Sequence, residues 1–378
     1  MIYKSPLWFS DIDQEIRCLP ELEELSGSTV LITGAGGLIC SAVVDLLIRY
    51  NETHHVPVGI LAAGRSREKI QDRFGAYCDR GYFTFVPYNA ASSQVEIPEA
   101  ADFIIHGAGN ASPQKIVEEP VETMASNFVG LLALLNWAKK TTAKRLLYIS
   151  SSEVYGEKDG RLPYREDQYG YIDLLNPRSS YSVGKRAAET LCVSYADEYG
   201  VESVIARPGH IYGPTAAATD NRVSSAWAYS AAQGKDIVMK SDGSQVRSYC
   251  YCLDCAAALL KILIKGDNAR AYNISNPDSI ISIREMAEIL SGYAGIALKS
   301  EAATLEEQKG FNPMRNSSLE GTSLEALGWH ACFDAETGLR HTVQILKETI
   351  CAEPLSGPTA APGGISEGRA RLLKGKPL

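Results

Sequence analysis

TVLITGAGGLIC, residues 29 to 40, decides the fold. Thr29 to Thr33 form an apolar, β-branched run of the kind that makes a strand buried on both faces. Gly34, Gly36 and Gly37 then stand at the turn where that strand gives way to a helix beginning at Leu38 and Ile39. Glycines there let the backbone bend tightly and let a pyrophosphate approach the first amides of the helix. Elsewhere such a turn would mean only flexibility. Between a strand and a helix near the start of a chain, it points to a bound dinucleotide. The spacing is GxxGxxC, and Cys40 replaces the third glycine with a small thiol that close helix–strand packing can tolerate.

Downstream, short β-branched runs alternate with helical stretches, the pattern of a parallel α/β sheet. The candidate strands are Thr29–Thr33, Val58–Ala62, Phe83–Tyr88, Asp102–His106, Arg145–Ser150 and Ser203–Ala206, with helical patterns such as SAVVDLLIRY between them. The expected fold is therefore a Rossmann-like doubly wound parallel sheet over residues 26–210, completed by parts of 245–275. A smaller C-terminal substrate-binding lobe is expected over 211–350. Residues 1–25 read as a helical extension, and the Pro-, Gly- and Ser-rich residues 352–378 as a disordered tail.

The second strand runs into ILAAGRSREK, where no acidic residue closes the strand to bind an adenosine ribose 2′-hydroxyl. Arg65 and Ser66 fill that corner and suit a 2′-phosphate. The cofactor is thus NAD or NADP, with NADP favoured by these two residues. Asn89 and Ala108, beyond the third and fourth strands, complete the expected cofactor-binding set.

Composition excludes several classes. The chain carries 45% hydrophobic and 22% charged residues, a net charge of −8 and a pI near 5.4. An acidic protein without a basic face is not expected to bind nucleic acid, although a local arginine cluster can still hold a small anion. The N-terminal MIYKSPLWFSDIDQE lacks an apolar signal core, and no run reaches the ~18–20 apolar residues that span a membrane. Nine scattered cysteines suit a reducing cytoplasm. Cys250, Cys252 and Cys255 in CYCLDC have no second Cys or His pair at zinc spacing, so no metal is expected there.

SSSEVYG, residues 150–156, closes the fifth strand with three hydroxyls and a carboxylate. Such serines often only cap the next turn. Thirty residues after Ser151, Tyr181 and Lys185 lie four apart in SSYSVGKRAAE, one turn apart on one helix face. Of nineteen tyrosines, only Tyr181 has a lysine at that spacing. An ammonium near a phenol lowers its pKa and makes it a usable base. Strand-end serine, helical tyrosine and lysine, and a nicotinamide form one arrangement for hydride transfer at a carbinol.

IIHGAG, NFVG, SSSEVYG, YSVGK and RPGHIYGP, following the glycine turn, occur in the order seen in extended short-chain dehydrogenases/reductases. The chain resembles these nucleotide-sugar epimerases, dehydratases and decarboxylases over roughly residues 28–345. The resemblance implies that Ser151 is the catalytic hydroxyl, Tyr181 the base, and Lys185 the residue on the nicotinamide ribose. Ser152 and Glu153 replace the Asp-Glu of the 4,6-dehydratases and look most like the UDP-glucuronate decarboxylases. HGAGNASPQ, EDQYGYIDLLNPRSSY, DNRVSS and DGSQVRSYCY agree with that group.

By the same resemblance Arg315 acts in decarboxylation, Arg222 and Arg247 hold nucleotide and diphosphate, and Ser152 and His210 touch substrate. His210 stands where an Asn is usual, and RNSS replaces RKPD near Arg315. The implied reaction is transient oxidation at C4 by a tightly bound, recycled cofactor, loss of CO2 from C5, and reduction at C4. Glu153 is expected to repel a sugar carboxylate and so favour its departure. The alternatives are 4-epimerisation, 4,6-dehydration, or a catalytically silent dinucleotide sensor on the same fold. A homodimer is expected.

Overall fold

Seven parallel strands make the main sheet of the protein, in the order β10-β6-β5-β4-β1-β2-β3. The structure is a computed structural model and describes residues 2–158, 162–304, 308 and 314–351. The expected tail over 352–378 lies outside the described residues.

In chain order the first half comprises α1 (Pro6–Cys18), β1 (Thr29–Thr33), α2 (Leu38–Thr53), β2 (Gly59–Gly64), α3 (Arg67–Phe74) and β3 (Phe83–Pro87). Then come β4 (Phe103–His106), α4 (Pro113–Glu118), α5 (Pro120–Thr141), β5 (Arg145–Ile149), α6 (Ser180–Tyr199) and β6 (Ser203–Pro208). All six expected strands form, with ends shifted by a residue or two. A seventh, β10 (Ala271–Ile274), pairs with β6 at the edge. Strand order reverses between β1 and β4, which leaves a crevice beyond their carboxyl ends where such sheets bind ligands.

Helices cover both faces, which is why the strands read as unbroken apolar runs rather than alternating ones. On one face α2 packs against α8 (Cys252–Lys265), with Val43, Leu47, Leu259 and Ile262 fully buried. Cys250, Cys252 and Cys255 belong to this same core. On the other face α5 packs against α6 through Leu131, Leu134, Ala188 and Cys192.

The N-terminal helix is integral to the first face. Ser5 caps α1 by accepting from the Trp8 amide, and Trp8 and Ile12 are buried against α2 and α8. Asp13 takes two hydrogen bonds from Arg49, at 2.6 and 2.8 Å, and Arg73 pairs with the buried Asp45.

A second, smaller sheet forms around β9 (Val246–Tyr251). β7 (His210–Tyr212) and β13 (Asn316–Ser317) flank it in parallel, and β11 (Ile280–Ser282) runs antiparallel. Its register sets Tyr249 opposite His210 and Arg247 opposite Ser317. Residues a hundred positions apart in sequence thereby reach one edge of the crevice.

Candidate active site

The carboxyl ends of β1, β4 and β5 come together in the main sheet, with Thr33 opposite His106 and His106 opposite Tyr148. Gly34 follows at φ +74°, and a Cβ there would lie 3.0 Å from the Ala108 backbone. Both the left-handed conformation and the close approach require glycine. The Gly37 amide donates to the Gly34 carbonyl at 2.8 Å and closes the turn, so that α2 starts without a side-chain cap. Its first amides are left open to an anion.

Thr33 Oγ1 accepts from the Ala108 amide at 3.2 Å and meets His106 Nδ1 at 2.7 Å. Cys40 is accommodated because the facing residue is Gly107, where a Cβ would lie 2.3 Å from the sulfur. The glycine needed for close packing has moved from the helix to the opposing loop.

At the adenosine corner Arg65 is exposed at the end of β2. Ser66 is the N-cap of α3: its Oγ accepts from the Lys69 amide at 3.2 Å and donates to Glu68 at 2.7 Å. That hydroxyl therefore serves the helix, and it brings a carboxylate into a corner expected to favour a phosphate. Asn89 is exposed, with Oδ1 accepting from the Ala91 amide at 3.1 Å.

Beyond β5 the three serines part company. Ser150 Oγ donates to the buried Glu189 at 2.5 Å, and Glu189 is held in turn by Arg207 at 2.7 and 2.9 Å. Ser151 caps the 3-10 turn Ser152–Tyr155 by accepting from the Glu153 amide at 3.2 Å. The same hydroxyl lowers the Tyr181 phenol, so that it caps the turn and acts on Tyr181 at once. Ser152 is buried.

Tyr181 is buried, and burial pushes its phenol up to about 12, with the Glu153 carboxylate adding to the rise. Ser151, Arg222 and Arg178 pull the other way. Lys185 is not the partner that sequence reading made it. Its Nζ donates to the Ile149 carbonyl at 2.7 Å and lies 5.8 Å from the Tyr181 ring centroid. Burial brings Lys185 down to about 8. Arg222 and Arg178 are the cations that lower the phenol most, and Lys185, turned to the carbonyl, is not among the largest influences on it.

Glu153 is likewise not a bare charge. Arg178 holds it in two parallel bonds of 3.1 Å, and Ser182 Oγ donates to it at 3.2 Å. Glu153 thus meets a sugar carboxylate as one half of an ion pair rather than alone. Arg178 and Ser182 were missed as functional residues, although NPRSSYS was in view. No local pattern shows that Arg178 reaches a carboxylate 25 positions earlier.

The remaining expected contacts divide. Arg222 begins α7 (Val223–Ala232), pairs with Asp220, and acts on both Tyr181 and His210. Arg247 is buried, and its hydrogen bonds go to the carbonyls of Val246 and Arg315. Burial holds it below the usual arginine range. A desolvated cation bonded only to carbonyls is a ready anchor for an anion. His210 is pushed down to about 3 by burial and by Arg247 and Arg222, and its Nδ1 is buried without a partner among the described residues. Arg315 is exposed, lowers the carboxyl of Asp242, and has no hydrogen bond to Ser151, Glu153 or Tyr181 among the described residues.

Residues 30–275 match the model of the NAD dependent epimerase/dehydratase family. The chain belongs to that family. It is 30% identical over 358 residues to UDP-glucuronic acid decarboxylase 1 of Danio rerio, spanning 94% of this chain and 80% of that protein. Against UDP-glucuronic acid decarboxylase 6 of Arabidopsis thaliana it is 31% identical over 315 residues, 83% of this chain and 87% of that one.

Among solved structures it shares the fold of UDP-glucose 4-epimerase from Thermotoga maritima, determined with UDP-glucose. The TM-score is 0.72 at 23% identity, over 85% of this chain and 99% of that one. dTDP-glucose 4,6-dehydratase from Bacillus anthracis, determined with NAD, gives a TM-score of 0.69 at 19% identity, over 85% of this chain and 97% of that one. Membership of this NAD-dependent family accords with the glycine cradle at Gly34 and Gly37 and with the open start of α2. Those features fit a nicotinamide dinucleotide.

Proposed function

We propose that this enzyme decarboxylates a UDP-uronate such as UDP-glucuronate through transient oxidation at C4. The observation that carries the reading is the engaged state of Glu153: Arg178 and Ser182 occupy its oxygens. Ser152 stands where a 4,6-dehydratase places the acid that protonates a departing hydroxyl, so dehydration lacks its proton donor. Kinship with UDP-glucuronic acid decarboxylases over most of the chain supports the same choice.

A nicotinamide dinucleotide held by its pyrophosphate at the Gly34–Gly37 turn would supply the reversible oxidation at C4 that makes a C5 carboxylate a β-keto acid. Tyr181 exchanges the proton of the 4-hydroxyl, and Ser151, which already acts on the Tyr181 phenol, steadies the same oxygen. Lys185 is fixed by the Ile149 carbonyl and orients the nicotinamide ribose. Arg247 and Arg222 take the diphosphate. Arg315, from its exposed position, is assigned to the uronate carboxylate.

Arg65 favours NADP, while the Ser66–Glu68 bond opposes it. The exposed Val121, Met124 and Phe128 of α5 and Val193 of the adjoining α6 support a homodimer through these helices. No helix among the described residues is long and apolar enough to cross a membrane, and the reduced thiols accord with a cytoplasmic protein.

The runner-up is 4-epimerisation, which the same Ser151–Tyr181 pair would serve. Mass spectrometry of products from UDP-glucuronate, UDP-glucose and UDP-galactose distinguishes the chemistries. Loss of CO2 supports decarboxylation, loss of water dehydration, and unchanged mass with altered configuration epimerisation.

A further inference from the structure

Arg178 lies outside every set of residues that the sequence assigns to the site, yet its guanidinium is spent on Glu153, the carboxylate that acts on the Tyr181 phenol. We infer that Arg178 is a positioning residue of the active site: it locks Glu153 beside Tyr181 and balances its charge, so that Glu153 can face the sugar without disabling the base. The inference rests on the proposed C4 chemistry for its meaning, but not on which product that chemistry yields.

Arg178 sits in the 3-10 turn Pro177–Ser179, which feeds directly into α6. Asn176 caps the turn by accepting from the Arg178 amide at 3.0 Å, and Pro177 fixes its first φ. The backbone that carries the guanidinium is therefore set before the side chain reaches out. Nη1 and Nη2 each meet one oxygen of Glu153 at 3.1 Å, the planar fork-to-fork pairing that a lysine cannot reproduce. Both side chains are largely buried, at 15% and 20% exposed, so solvent screens the pair poorly. Among the described residues the Arg178 Nε is buried without a partner, and Glu153 is the group that holds the guanidinium.

The charged and polar groups around Tyr181 are Glu153 and Ser151 after β5, Arg178 before α6, Lys185 within α6, Arg222 at the start of α7, and Tyr148 of β5. Glu153 raises the phenol and Arg178 lowers it. Without Arg178, the carboxylate would act on Tyr181 uncompensated and would be free to leave its rotamer.

A double-mutant cycle tests this, with Arg178→Met, Glu153→Gln and the pair. Turnover is read as any conversion of UDP-glucuronate or UDP-glucose. A change of product thus refutes the proposed reaction without touching the cycle. Arg178→Met should lower kcat/KM at least about tenfold in the wild-type background and less than about twofold beside Glu153→Gln. Arg178→Lys should recover part of the loss. In protein without substrate, 13Cζ NMR of tyrosine, with Tyr181→Phe assigning the signal, should show the Tyr181 midpoint lowered by Glu153→Gln and raised by Arg178→Met. Equal losses from Arg178→Met in both backgrounds would reduce Arg178 to a part of the turn's fold. An unmoved Tyr181 midpoint in both single variants would overturn the charge balance.

Discussion

Lys185 lies one helical turn beyond Tyr181, but its ammonium is bonded to the Ile149 carbonyl at 2.7 Å and stands over the Tyr148 ring at 4.6 Å. The helix puts the two residues on one face; the carbonyl at the end of β5 decides where the lysine points. Tyr181 is left with a phenol at about 12 and Lys185 with an ammonium at about 8. The phenol is therefore far from ionised at neutrality in the protein's own field.

Activity should rise as pH rises from about 6 to about 8, because the proton acceptor is the deprotonated phenol. Tyr181→Phe should lose about 10²–10⁴-fold in turnover and keep dinucleotide binding, since one buried hydroxyl is all that it removes. Rapid-quench turnover and calorimetric titration with NAD check the two halves. Near-wild-type turnover would reject Tyr181 as the base.

The cofactor corner predicts opposite effects from neighbouring residues. Arg65→Ala should weaken NADP by about 1.5–3 kcal/mol, the worth of a charge-assisted contact, with little change for NAD. Glu68→Gln should strengthen NADP, because it removes the carboxylate bonded to Ser66. Equal losses for both dinucleotides in Arg65→Ala would make Arg65 an ordinary surface charge.

The Glu189–Arg207 pair underlies the catalytic strand ends, with both side chains buried and Ser150 bonded to the carboxylate. Glu189→Ala leaves Arg207 buried and unpaired and should cost about 3–5 kcal/mol of stability. Glu189→Leu combined with Arg207→Met should recover most of that, as measured by urea unfolding. A single variant as stable as wild type would contradict the pairing.

Stability should fall as pH rises, through the acids beneath the N-terminal helix. Glu15 of α1 and Asp254 of α8 are buried against each other. Burial pushes Asp254 up to about 7 and, with Asp254 beside it, Glu15 well above the carboxylate range. Groups raised on folding contribute stability that is fully present below their unfolded values of 3.8 and 4.5. That contribution is lost as pH rises through about 7. Wild type should therefore melt lower at about pH 8.5 than at about pH 6. Glu15→Gln, which removes one of the two raised groups, should flatten that slope. Parallel melting curves for the two proteins across pH would exclude the buried pair as its source.

The sequence by itself determined the main sheet and the glycine turn at its mouth. Strands buried on both faces must be continuous apolar runs, and Gly34 must be glycine where backbone meets backbone; both constraints are local and leave local marks. The i, i+4 spacing of Tyr181 and Lys185 and the hydroxyl at Ser151 are legible for the same reason.

The tertiary structure alone decided the rest. β10 is four residues at a sheet edge, too short to announce itself, and β9 gathers His210, Arg247 and Arg315 through pairings no periodicity encodes. Arg178 reaching Glu153, Glu15 meeting Asp254, and Lys185 turning to a carbonyl follow from which elements lie side by side. Spacing sets which face a residue occupies. Only packing sets which charge it meets there, and in a desolvated site that neighbour fixes its protonation.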